Sequence, residues 1–282
     1  IEYELGRPKS VKYDRNNDGI VELYSTCDFG APQFIYFNAG EAELFYDSYP
    51  SVSKISFVNQ DYVLSFLHDD LHFSPFRLIP DSYLQRLGLD LYIPYVEPNL
   101  YFPAYDELVS VASSLEMPLT ERIKGKVVYS LAAGVFVNAD FYEDDVRYGY
   151  CDFTTVYPIV RVIDSDLDGY FETEELYDVI SEKTAALHDA DEIEKSFGAV
   201  LKDYPLYLYK IRIDRNGNTF HEFTEQYLEN EGKISNWDND DDGIIDCQYV
   251  RYPKNENDSL IEETTYFNGD GKPLIRLNTI DG

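Results

Sequence analysis

Tyr207-Leu-Tyr-Lys-Ile-Arg-Ile213 runs straight into Asp214-Arg-Asn-Gly-Asn218. The first stretch sets aromatic and branched apolar residues among Lys and Arg, a composition that suits a half-buried pleated surface. The second is Asp, Asn and Gly, whose side chains bond back to their own backbone or tolerate left-handed conformations, so it reads as a turn. The same pairing recurs along the chain. Ile20–Tyr24, Phe34–Phe37, Lys126–Leu131 and Cys247–Tyr252 read as strands, and Asp14–Gly19, Asn38–Gly40, Asn230–Gly232 and Asn268–Gly271 as turns. Strands joined by short polar turns form hairpins, so the expected fold is mainly β, an antiparallel hairpin meander with helical insertions, α+β overall.

Three stretches interrupt this rhythm. Asp81–Gly88 has an N-cap Asp and a Gly stop and predicts a short helix; Asp106–Met117 predicts another, with Pro118 just beyond. Thr173–Val200 is the longest helical candidate, as one helix or two joined near His188–Asp191. It opens with Glu174 and Glu175, which suit the positive end of a helix dipole. Tyr92–Pro103 carries Pro94, Pro98 and Pro103 among aromatics and reads as a packed irregular crossing. These features divide the chain into a β-hairpin region over 1–79, a helical and Pro-aromatic insertion over 80–124, and a second β region over 125–282. Cys27-Asp-Phe29 recurs as Cys151-Asp-Phe153, each behind a strand, as expected for two versions of one hairpin unit.

Composition narrows the function. Asp and Glu number 53 against 23 Lys and Arg, for a net charge of −30. A nucleic-acid binder needs the opposite sign, and an anionic lipid surface repels this chain. No apolar run reaches the length of a membrane span or a signal core, so direct membrane insertion is not expected. With 26 Tyr, 17 Phe and 44% hydrophobic residues, the chain is no solvated tail. The chain opens on Ile1 rather than Met, as in a mature or trimmed chain with room upstream for a lipid-attachment Cys. The 3 cysteines cannot all pair and include no CxxC, so Cys27, Cys151 and Cys247 read as free thiols on strands. No GxSxG, HExxH or P-loop pattern is present. His68-Asp-Asp-Leu-His72 spaces two imidazoles at i, i+4 but has no identifiable third ligand.

One spacing repeats. Asp14, Asn16 and Asp18, with Gly19, Ile20 and Glu22, occupy positions 1, 3, 5, 6, 7 and 9 of a loop. Asp164, Asp166, Asp168, Gly169, Tyr170 and Glu172 do the same, with Glu175 at position 12. So do Asp238, Asp240, Asp242, Gly243, Ile244 and Asp246. A degenerate copy has Asp214, Asn216, Asn218, Thr219, Phe220 and Glu222, with Glu225 at position 12. A hard divalent cation such as Ca2+ takes six to eight oxygens at about 2.3–2.6 Å. Positions 1, 3 and 5 of a tight loop aim oxygens at one centre, glycine at 6 permits the turn, and the carbonyl of 7 (Ile20, Tyr170, Ile244) and the side chain of 9 add to the shell. The bland alternative is an acidic Asx-turn hairpin with no ion.

The loops resemble the calcium loop of the EF-hand family. Over 164–175 the resemblance implies ligation by Asp164, Asp166, Asp168, Tyr170 through its carbonyl, Glu172 and Glu175. Upstream, Thr155–Ile163 reads as a strand where an EF-hand has a helix, so strand–loop–helix is expected. Loops 14–22 and 238–246 lack a carboxylate at position 12 and look more like the DxDxDG hairpin loops of bacterial calcium-binding repeat proteins.

Crowded carboxylates repel without a cation, so an ion bound to the folded form stabilises it. Extracellular calcium modules have dissociation constants of about 10⁻⁴–10⁻³ M, which fits a periplasmic, secreted or cell-surface location. The expected function is calcium-dependent scaffolding or binding in a bacterial envelope, with a protein or glycan partner; catalysis is not the leading expectation. The other class is a carbohydrate-active enzyme with structural calcium, which calls for convergent carboxylates outside the loops.

Overall fold

The protein is described by a computed structural model over residues 1–38, 41–76, 98–119, 125–154, 159–181, 184–187, 189–228, 232–252 and 261–280. It is mainly β, an antiparallel meander in which each strand pairs with its successor along the chain. The residues fall into two compact units: Ile1–Pro118 with Val128–Val137, and Leu119–Val127 with Asn138–Gly282.

The first unit holds β1 (Glu2–Glu4), β2 (Arg7–Tyr13), β3 (Leu23–Asp28), β4 (Ala31–Phe37), β5 (Ala42–Ser48), β6 (Ser51–Phe57), β7 (Tyr62–Ser65), α1 (Tyr105–Val111) and β8 (Ser114–Pro118). Its strands alternate as a half-buried sheet should: Leu23, Ile35, Phe37, Leu44, Ile55 and Leu64 face inward and are buried. Phe102, from the irregular stretch before α1, sits among Phe37, Phe57 and Phe73, with ring centroids 5.3, 6.3 and 5.9 Å away. That is the described part of the expected Pro-aromatic crossing, and it packs as a plug; the helix expected over 81–88 lies outside the described residues.

The helix expected over 106–117 is shorter in the structure. It ends at Ala112, whose ψ of 145° is extended. Beyond it, Leu115 and Met117 point into the core with a period of two, as β8 residues.

Residues of β9 (Gly125–Ala132) and β10 (Val135–Glu143) occur in both units. The second unit continues with β11 (Val146–Asp152), β12 (Ile159–Ile163), β13 (Thr173–Val179), α2 (Ala190–Phe197), β14 (Leu206–Ile213), β15 (Phe223–Tyr227), β16 (Lys233–Trp237), β17 (Cys247–Arg251), β18 (Ile261–Phe267) and β19 (Pro273–Ile280). Its packed part lies under α2, where Phe197 meets Tyr177 at 4.9 Å, Phe141 at 6.0 Å and Phe153 at 6.2 Å. Arg161 is fully buried there; its Nη1 donates to Glu175 Oε2 at 3.0 Å, and its guanidinium lies 4.7 Å from the Phe141 ring centre. Beyond β14 no helix covers the sheet among the described residues: β15 and β17 are half-buried throughout, and β19 is exposed over 273–279.

The helix expected over 173–200 is corrected by the structure. Thr173–Val179 is a strand, and among the described residues of this stretch only Ala190–Phe197 forms an α-helix. Its acids pair across strands: Glu174 accepts from Arg212 at 2.8 Å and Glu175 from Arg161. Such cross-strand ion pairs stabilise a sheet where local propensity favours a helix. The helix starts where Asp189 caps it, its side chain accepting from the backbone N–H of Asp191 and Glu192, and stops at Gly198.

Cys27, Cys151 and Cys247 are free thiols on β3, β11 and β17. Cys27-Asp28 and Cys151-Asp152 both end strands, and the two chain paths diverge immediately afterwards. Phe29 and Gly30 turn with positive φ, whereas Asp152 caps Thr154. No helix among the described residues is long and apolar enough to cross a membrane.

Candidate metal centres in the hairpin loops

All four loops join a strand to its successor: β2 to β3, β12 to β13, β14 to β15 and β16 to β17. Their sequences differ, yet they close with one hydrogen-bond set. The position-1 aspartate accepts from the N–H of position 6, at 2.9 Å for Asp14–Gly19, 2.8 Å for Asp164–Gly169, 2.9 Å for Asp214–Thr219 and 2.8 Å for Asp238–Gly243. The position-5 side chain accepts from the N–H of position 7, at 2.8 Å in each of Asp18–Ile20, Asp168–Tyr170, Asn218–Phe220 and Asp242–Ile244. The position-9 carboxylate reaches back to the N–H of position 2: Glu22 to Arg15, Glu172 to Ser165, Glu222 to Arg215 and Asp246 to Asn239. Positions 4 and 6 take positive φ throughout. The turn thus results from short acceptors at 1, 5 and 9 that wind the backbone around a common centre.

In two loops the carboxylates converge. Oxygens of Asp164, Asp166 and Glu172 lie within 4.8 Å of one another, and so do those of Asp238, Asp240 and Asp246. Two oxygens bound to one ion at about 2.4 Å can be no more than about 4.8 Å apart, so both clusters can hold a metal ion. Asp164 and Asp238 are buried at the base of each cluster, while the other members are more exposed. Burial and the neighbouring Asp242, Asp246 and Asp238 push the Asp240 carboxyl above its ordinary range. A cation would relieve that repulsion.

The other two loops differ. In 14–22, Asp14 Oδ1 is buried and has no hydrogen-bond partner. Asn16 there spends its amide on Asp18 at 2.9 Å. In 214–222 the amides of both Asn216 and Asn218 donate to Asp241 Oδ2 of the next loop, the second at 2.5 Å. Their oxygens accept backbone N–H groups of Asn218 and Phe220. This loop is latched to its neighbour by the side chains expected to ligate.

The position-12 residues stand apart from the loops. Glu175 lies on β13 with Arg161 and the Tyr177 hydroxyl; Glu225 lies on β15 and accepts from Lys233 and Ser235. Because a strand succeeds every loop, the chain at position 12 has moved down the sheet instead of turning back over the ion, as the start of a helix would. His68 and His72 both approach Asp69, at 3.6 and 3.1 Å, and that carboxylate also accepts from Ser51. They form no three-ligand cluster among the described residues.

Spacing alone does not reveal how the loops of the second unit abut. Position 9 of each accepts from position 1 of the next: Asp214 N–H to the Glu172 carbonyl at 2.9 Å, and Asp238 N–H to the Glu222 carbonyl at 3.0 Å. The position-7 side chains then lie over glycines of the succeeding turn. Tyr170 covers Gly217, Phe220 covers Gly243 and Ile244 covers Gly271. The Tyr170 phenol is raised above its ordinary range by its surroundings and by Asp214. Glycine stands at position 4 of the third loop, where a Cβ would come within 3.3 Å of the Tyr170 hydroxyl and press on its ring.

Comparison of the chain with protein-family models, with curated proteins and with solved structures finds no match.

Proposed function

We propose that loops 164–172 and 238–246, and more weakly 14–22, bind Ca2+, and that the ions act as structural staples in a scaffolding or binding protein of the bacterial envelope. The observation that carries this reading is the pair of three-carboxylate clusters, each based on a buried aspartate. Their donors are oxygen only, with no imidazole or thiolate, which favours a hard cation over zinc or copper. Loop 214–222 drops out of the expected ligand set because its amides are engaged by Asp241.

A structural role is supported by where the loops sit. Among the described residues the second unit has little apolar packing beyond β14, so ions that cross-brace its turns would supply stability that a core supplies elsewhere. Weak affinity matched to millimolar extracellular calcium suits the periplasm or cell surface.

Calorimetric titration of the chelator-treated protein tests this reading. We expect two or three calcium ions per chain and a higher melting temperature with calcium than with chelator. One ion or none, or equal melting temperatures, would refute it.

A further inference from the structure

Asn38 after β4, Glu41 before β5, the β6–β7 turn and the start of α1 line an open cleft of about 600 Å³ within the first unit. This is the size range of small-ligand sites, about 300–1,000 Å³. Its apolar side is aromatic: Phe57, Tyr62 and Tyr105, with the Phe57 and Tyr105 rings 5.7 Å apart and inclined at 67°. Its polar side is three primary amides, Asn38, Asn59 and Gln60, and one carboxylate, Glu41. No cation lines it among the described residues. The Tyr105 hydroxyl is buried and has no hydrogen-bond partner. Burial, with Tyr62 and Asp106 nearby, pushes it up to about 12, so it is a neutral donor at any physiological pH.

We propose that this cleft binds a neutral saccharide. A sugar ring presents a flat C–H face that packs on aromatic rings, and vicinal hydroxyls that both donate and accept. Amides and a carboxylate match those hydroxyls, and the Phe57, Tyr62 and Tyr105 side chains supply the apolar side. The net charge of −30 and the lining Glu41 disfavour anionic glycans and phosphorylated ligands. Among the described residues only one carboxylate lines the cleft, so the two-carboxylate arrangement of glycoside hydrolysis is not met there and the site binds without cleaving. Asn38 N–H donates to the Glu22 carbonyl, which joins the cleft to loop 14–22, and Val58 N–H donates to the Glu41 carbonyl within the cleft wall, each at 3.0 Å. Naming the partner as a glycan rests on and deepens the binding role proposed above, but none of the cleft residues belongs to an ion loop.

The test is saturation-transfer NMR and calorimetry on the full chain. The probes are maltose, cellobiose, lactose, mannobiose and chitobiose, with 3′-sialyllactose as the anionic control and a capped polar tetrapeptide as the peptide control. At least one neutral disaccharide should bind, with the controls silent. Asn59→Ala and Gln60→Ala each remove one lining amide from an exposed turn; each should weaken binding about fivefold or more, with unchanged melting. The proposal fails if no neutral disaccharide binds, if a control binds in their place, or if both variants bind as well as the parent. Calcium titration of the same samples reads the ion loops separately. Sugar binding without calcium binding would sink the ion reading alone, and calcium binding without sugar binding would sink this one alone.

Discussion

The ring of Phe220 occupies the space that a side chain on Gly243 would need: a Cβ there would come within 2.9 Å of Cε1. Nothing lies within 4 Å of the equivalent point on Gly169. Both glycines have positive φ, so alanine at either costs about 1 kcal/mol in backbone strain. Gly243→Ala must also displace Phe220, and we expect its loss in a urea melt to exceed that of Gly169→Ala by roughly 1 kcal/mol. The excess should vanish in the Phe220→Ala background, as a double-mutant cycle would reveal.

Thr219 holds a φ of 77°, where the other three loops carry glycine. A β-branched residue in that region costs of order 1–3 kcal/mol, and glycine's own entropy returns part of the gain. Thr219→Gly should therefore stabilise the protein by about 1 kcal/mol, read as a higher denaturation midpoint at unchanged slope.

Arg161 has no exposed side-chain surface, and it pairs with Glu175 at 3.0 Å. Removing one member of a buried pair leaves a charge in low dielectric, at a cost of about 3–5 kcal/mol. Glu175→Ala should lower stability by about that much while leaving calcium stoichiometry intact, since Glu175 lies outside both carboxylate clusters. A variant that lost one calcium and kept its stability would restore Glu175 as a ligand.

Glu225 gives a pH signature. Burial works to raise its pKa, but hydrogen bonds from Ser235, Lys233 and Tyr227 outweigh it and hold the carboxyl below its ordinary 4.5. A depressed carboxylate stabilises the fold above that value and loses its contribution as pH falls through its folded-state pKa. The stability gap between parent and Glu225→Gln should be full at neutral pH and shrink progressively below pH 4.5. A gap that stayed constant to pH 3 would contradict this assignment.

The hairpin meander is legible in the sequence because turn residues and half-buried strands alternate at short range. Asp238–Asp246 needs nothing from elsewhere in the chain to declare its bend. Thr173–Val179 reads as helix and folds as strand because Glu174 and Glu175 obtain their partners from β14 and β12, well separated in sequence. Near 112–118 the clue is local: Leu115 and Met117 alternate ahead of Pro118, a strand period masked by the helical start beside it. The amides of Asn216 and Asn218 carry the spacing of ligands, and only the approach of Asp241 assigns them another task. The packing of Tyr170 on Gly217 leaves no trace in either loop alone.

A sheet in which every strand adds onto the one before it has mechanical consequences. From β14 onward, each described hairpin is held by its immediate neighbours along the chain and by a few side chains that reach the next turn, Phe220 over Gly243, Asn216 and Asn218 on Asp241, and Ile244 over Gly271. Behaviour of that kind is quasi-one-dimensional, like that of stacked arrays. Stretched by its C-terminal end, the protein should peel as a zipper does, yielding hairpin by hairpin in small regular steps. Resistance should rise sharply only when the force front meets the aromatic cluster around Phe197.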